Sequence, residues 1–85
     1  MEKNDVAFGV LAYMAMDAFA HLQAGCRNLD FMERVHGAGY LADVQEEEAE
    51  FRRIEAALGA LLERMNERAP EKMASMKQRR ADEHA

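Results

Sequence analysis

The chain has 85 residues and a formal net charge of −5, from 16 acidic and 11 basic side chains. That length supports one small domain, whose core is marginal unless a disulfide, a metal or a second subunit adds to it. Cys26 is the only cysteine, which excludes a disulfide within the chain and suits a reducing compartment such as a cytoplasm. The acid excess argues against nonspecific binding to a phosphate backbone, so no nucleic-acid partner is expected.

Ala, Leu, Met, Glu, Arg and Gln dominate, and nothing sustains strand alternation, so the expected fold class is all-α. The opening Met1-Glu2-Lys3-Asn4-Asp5 lacks the net positive charge of a secretory leader. Asn4 or Asp5 suits the cap of a first helix. The apolar run from Val6 to Ala24 raises the question of a membrane span. Asp17, His21 and Gln23 lie inside it, and an aspartate near mid-span costs roughly 2.5–3.5 kcal/mol. No cluster of Lys or Arg flanks the run. The expectation is a helix buried in protein, with no membrane partner and a cytoplasmic location.

This helix is expected to reach Val35 or His36. Phe8, Leu11, Ala15, Ala18 and Leu22, continued by Gly25, Leu29 and Met32, recur at steps of three and four and share one face. The half before Ala24 is apolar nearly all round, which implies contact on more than one side. Gly25 is a weak point at which the helix can bend, since glycine costs roughly 1 kcal/mol relative to alanine inside a helix; a continuous or kinked helix is favoured over two.

His36-Gly37-Ala38-Gly39-Tyr40 marks a helix end and a tight reversal. A second helix is expected from about Leu41 to Arg68. Val44, Phe51, Leu58 and Met65 repeat every seven residues, and Tyr40, Ile54 and Leu61 lie one helical step away, a heptad-like seam that Glu47 interrupts where an apolar residue belongs. Pro70 suits the first position of a short third helix to about Arg80, with Met73 and Met76 as a docking face and Ala81–Ala85 frayed. The division is therefore a helical domain over 1–69 and a short helix or tail over 70–85. Two helices joined by a short connection form an antiparallel hairpin. One hairpin cannot cover the all-round apolar first helix, so the expected assembly is a homodimeric four-helix bundle.

Asp17 and His21 stand one turn apart, with Tyr13 a turn earlier. The pair reads either as an acid–base couple or as a polar contact fixing register inside an oligomer interface; the second reading is favoured. The interface residues expected are Phe8, Leu11, Ala15, Asp17, Ala18, His21 and Leu22. His21, Cys26 and His36 are spaced five and ten apart, which fits no compact zinc pattern, so no metal or other cofactor is expected. The basic tail from Lys72 to Arg80 has no interleaved aromatic residue for base stacking, and docking on the chain's own acidic helix or an acidic partner suits it as well.

Asp43, Glu46, Glu47, Glu48 and Glu50 form the densest acidic cluster, with Glu48–Arg52 and Glu50–Arg53 spaced to pair along the helix. The stretch Gln45-Glu46-Glu47-Glu48-Ala49-Glu50-Phe51 resembles the first acidic motif of the all-helical, MazG-related nucleotide pyrophosphohydrolases. That resemblance implies Mg²⁺ held by Glu47 and Glu50; the family's second acidic motif has no match in this chain. Cys26-Arg27-Asn28-Leu29-Asp30-Phe31-Met32 resembles a stretch of a phage-encoded anti-CRISPR inhibitor of type I-E interference, through Cys26, Arg27, Asn28, Asp30 and Met32. It implies a non-enzymatic protein that disables a larger host complex by occupying its surface. The function expected is protein interaction or inhibition, with Phe31, Tyr40, Glu47, Glu50 and Phe51 as partner contacts; the alternative is the Mg²⁺-dependent nucleotide hydrolase.

Overall fold

The computed structural model describes residues 3–85, and side chains from Val6 onward. Within them the chain is all-α. Helix α1 spans Lys3–His36, α2 spans Gln45–Arg68 and α3 spans Pro70–Glu83, with one 3₁₀ turn at Ala42–Val44 before α2. Helix α1 is already helical at Lys3, so Asn4 and Asp5 stand inside its first turn rather than at its cap.

α1 is unbroken through Gly25. The glycine serves packing instead: a Cβ there would lie 2.8 Å from Cζ of Phe51, so the ring in its present seat would have to shift to admit one. The arrangement is repeated in reverse where Phe19 of α1 lies over Gly59 of α2, at which a Cβ would come within 3.2 Å of the ring. Asp30 meets Arg52 at 2.9 Å beyond the first seat. As α1 advances from Phe19 to Asp30, its partners on α2 recede from Gly59 to Phe51 and Arg52, so the two helices run in opposite directions.

The reversal between them is set by Gly37, the only described residue with φ in the left-handed region, at +102°. Its N–H bonds Glu33 O at 2.8 Å, closing α1, and Tyr40 N–H bonds Gly37 O at 3.1 Å. His36 and Tyr40 stack at 4.3 Å across the turn. Leu41 then opens a 3₁₀ turn rather than α2, which starts at Gln45.

At the far end of α2, Ala69 breaks the helix at φ −149°, ψ 71°, and Pro70 begins α3. The missing N–H of proline costs nothing at this position. α3 folds back along the first half of α1: Gly9 faces Met76, Tyr13 meets Glu83 and Asp17 meets Arg80. The core forms where all three helices meet, from Ala12, Met16, Met65 and the fully buried Met73, with Phe8, Leu61, Leu62 and Met76 packed against it. α3 runs on past Arg80 to Glu83 because Glu83 accepts from Tyr13 and from Arg79, and His84 N–H closes the helix on Arg80 O. The fraying expected from Ala81 therefore starts later.

The molecule measures 52 × 27 × 17 Å. Three helices share the end holding the N-terminal half of α1. The other end has two helices, and Cys26 is the one buried residue there among those described.

Candidate interaction surface

Two polar systems fix the helices. On the three-helix end, Asp17 Oδ1 accepts from Arg80 Nη2 at 3.1 Å, with His21 Nε2 at 3.6 Å and His84 Nε2 at 4.0 Å from the carboxylate. The Arg80 hydrogen bond holds the Asp17 carboxyl below its ordinary range. Beside it the Tyr13 hydroxyl donates to Glu83, which raises the phenol and lowers the Glu83 carboxyl. These contacts tie α3 to α1. Of the tail's cations, Arg80 docks on Asp17 of α1 and Lys72 lies over the Phe8 ring, while Arg79 pairs with Glu83 within α3. On the two-helix end, Arg52 donates to both Glu48 and Asp30 at 2.9 Å. Beneath that pair the Cys26 thiol is buried, and burial with a hydrogen bond to Glu55 pushes its pKa up.

The residues expected at an oligomer interface divide between two sides of α1. Ala15 is buried and Phe8 packs on the core, its ring 5.7 Å from the Arg68 guanidinium and 5.8 Å from Lys72 Nζ. Leu11, Ala18 and His21 are exposed, and Leu22 is half-buried. Asp17 and His21 do pair, but Arg80 is the nearer partner of Asp17. Helical spacing gave no sign of Arg80, because its contact joins residues 63 positions apart; the only available signal was the cation content of the tail.

Of the expected partner contacts, Phe31 and Tyr40 are about half exposed. Arg34 sits 5.8 Å over the Phe31 ring, and His36 stacks on Tyr40. Phe51 is half-buried on Gly25. Glu47 and Glu50 are exposed on α2. The first-turn acids Glu46, Glu47 and Glu48 lie at the positive end of the α2 dipole, where carboxylates are stabilised. Among the described residues no three His, Cys, Asp or Glu side chains converge as a metal site. Of the two acid–base pairs expected along α2, Glu48–Arg52 forms.

Several large apolar side chains stand at the surface. Val6, Val10, Leu11 and Met14 on α1 are each at least 50% exposed, and Ile54 on α2 is 50% exposed. By length and composition α1 also meets the requirement for a membrane span. A groove of about 630 Å³ runs between α1 and α3, with Val10, Met14 and Met76 on its walls.

Comparison with known protein families, with characterised proteins and with solved structures finds no match to this chain.

Proposed function

We propose that this chain is a small interaction protein that works as a homodimer, a four-helix bundle of two α1–α2 hairpins, in a reducing cytoplasm. Its task is to occupy the surface of a partner complex rather than to catalyse a reaction. The observation that carries the reading is the side of α1 that neither α2 nor α3 covers, where Leu11, Met14 and Ala18 stand exposed. Contiguous exposed apolar surface of this kind marks an interface. The half-exposed aromatic rings of Phe31 and Tyr40 are the contacts offered to a further partner. An inhibitor borne by a phage or mobile element, of the anti-CRISPR kind suggested by Cys26–Met32, is the specific form of this reading.

The test compares elution volume and helicity for the natural chain and the double variant Leu11→Glu/Ile54→Glu. The expected result is a variant that keeps its circular dichroism and elutes as the smaller species. Identical elution of both chains would remove the dimer. A purified type I-E effector complex supplies the test of the specific form: the expected result is stoichiometric loss of its DNA binding on adding the protein.

A further inference from the structure

Resting on the dimer reading above, we infer that the second copy packs antiparallel on the α1–α2 face opposite α3, with a two-fold axis passing beside Ala57. Three observations carry it.

The first is which side is open. On α1, α3 is met by Gly9 and Tyr13. Leu11 lies two residues from each, about 200° around the helix. On α2, the groove shared with α3 is lined by Gly59 and Glu63. Leu61 lies two residues from each and Ala57 two from Gly59, again about 200° away. Leu11 and Ala57 are exposed, and Leu61, which packs against the core on one flank, is half-buried, so both helices turn an apolar edge that is only partly covered to the side away from α3.

The second is the charge order along that edge of α2. Moving from Ala57 toward the start of the helix, the edge meets Ile54, then Glu50, then Glu47. Moving the other way it meets Leu61, then Arg64, then Arg68. These stand at three and four, seven and seven, and ten and eleven residues from Ala57, the alternation of a helix-packing seam. A two-fold at Ala57 therefore sets Ile54 on the second copy's Leu61, Glu50 on its Arg64 and Glu47 on its Arg68. A parallel pair would instead stack Glu47 on Glu47 and Arg64 on Arg64. Among the described residues, Glu47, Glu50 and Arg64 have no ion pair within their own chain. Glu47, which breaks the apolar heptad, acquires a reason for being there.

The third is size and fit. The level of Ala57 on α1 falls between Phe19, which meets Gly59, and Gly25, which meets Phe51. On the side of Leu11, α1 presents the small, exposed Ala18 near that level, leaving room for close approach. Two helices about 36 Å long and about 20 Å across together give roughly 700 Å² per copy, about 1,400 Å² in all, within the range of stable interfaces.

The experiment is a sedimentation-equilibrium series on the full chain, with circular dichroism as the folding control. Glu47→Arg/Glu50→Arg places arginines against Arg64 and Arg68 and is expected to raise the dimer Kd by about tenfold or more. Adding Arg64→Glu/Arg68→Glu to that variant exchanges both ends and is expected to bring Kd back to within about threefold of the natural value. A natural dimer that the first variant leaves unchanged overturns the antiparallel register and leaves the dimer reading intact. A natural chain that stays monomeric overturns both. Should the fourfold variant fail to fold, Glu50→Cys and Arg64→Cys chains, each with Cys26→Ser, are mixed and oxidised. The mixed 50–64 disulfide supports the register, and 50–50 disulfides alone overturn it.

Discussion

The two ends of this molecule solve the problem of an apolar helix differently. At one end α3 folds back so that Ala12, Met16, Met65 and Met73 are enclosed by three helices, while Val6, Val10, Leu11 and Met14 on the outer side of α1 stay at least 50% exposed. At the other, α1 and α2 have only each other, and Phe31, Val35, Tyr40, Val44 and Ile54 remain between 44% and 58% exposed. The difference teaches that two helices make a pair of contact lines, while three make an inside. Three helices of these lengths enclose one such inside, and large apolar side chains outside it stay at the surface.

The comparison is most sharply tested by substituting one apolar residue at each end. Met73→Ala empties a fully buried site and is expected to cost about 2–5 kcal/mol, read as a large fall in Tm. Phe31→Ala, on the two-helix end, is expected to move stability by under about 1 kcal/mol. Equal losses from the two would erase the distinction between the ends.

A smaller effect is expected where the two-helix end has its closest fit. Gly25→Val drives a branched side chain into the Phe51 ring and is expected to destabilise by about 1–3 kcal/mol in chemical denaturation, even though valine is the better helix former. A stabilised variant would show that the ring is loosely held.

The attachment of α3 is expected to depend on pH at both extremes. Asp17 and Glu83 have carboxyls lowered by Arg80 and by Tyr13, so their contribution is complete above the ordinary carboxylate range and is lost as pH falls through their depressed values. Tyr13 is raised by Glu83, so its contribution is complete below pH 10, its ordinary value, and is lost as pH rises through the raised one. Amide protection in α3, taken against the intrinsic exchange rate at each pH, should therefore fall below about pH 4 and again above about pH 10, before protection in α1 does. Uniform loss of protection across both helices at either extreme would contradict the latch.

The smallest effects concern chemistry at the two-helix end. Cys26 is buried and its thiol pKa raised, so a thiol reagent is expected to label it slowly in the native protein and quickly once unfolded. Calorimetric titration with Mg²⁺ and a nucleoside triphosphate is expected to give no saturable heat; binding abolished by Glu47→Gln/Glu50→Gln would instead favour the nucleotide-hydrolase resemblance.

Much of the fold was legible because local chemistry decides it. Gly37 and Gly39 mark the reversal, Pro70 stands at the first position of α3, and Phe51, Leu58 and Met65 repeat at the helix period. What periodicity cannot carry is the pairing of distant segments. Arg80 finding Asp17, and Glu83 finding Tyr13, depend on how α3 swings back from Ala69, and that angle is set by packing around Met73. Gly25 shows the same limit from the other direction: in sequence it is a helix weakness, and only the position of Phe51 turns it into a seat. The expected interface residues of α1 were apolar and regularly spaced, yet Phe8 and Ala15 turn inward while Leu11 and Ala18 turn outward. Which of two apolar sides is covered depends on where the neighbours lie, and spacing alone does not record it.

In the proposed dimer, a second copy covers the side of the α1–α2 layer away from α3. Sedimentation equilibrium of the natural chain across a wide concentration range tests it most directly. The account predicts a molar mass approaching twice the 9.6 kDa of one chain, with dissociation favoured as salt screens the end-to-end charges. A mass that stays at one chain at every concentration, with helicity intact, would contradict it.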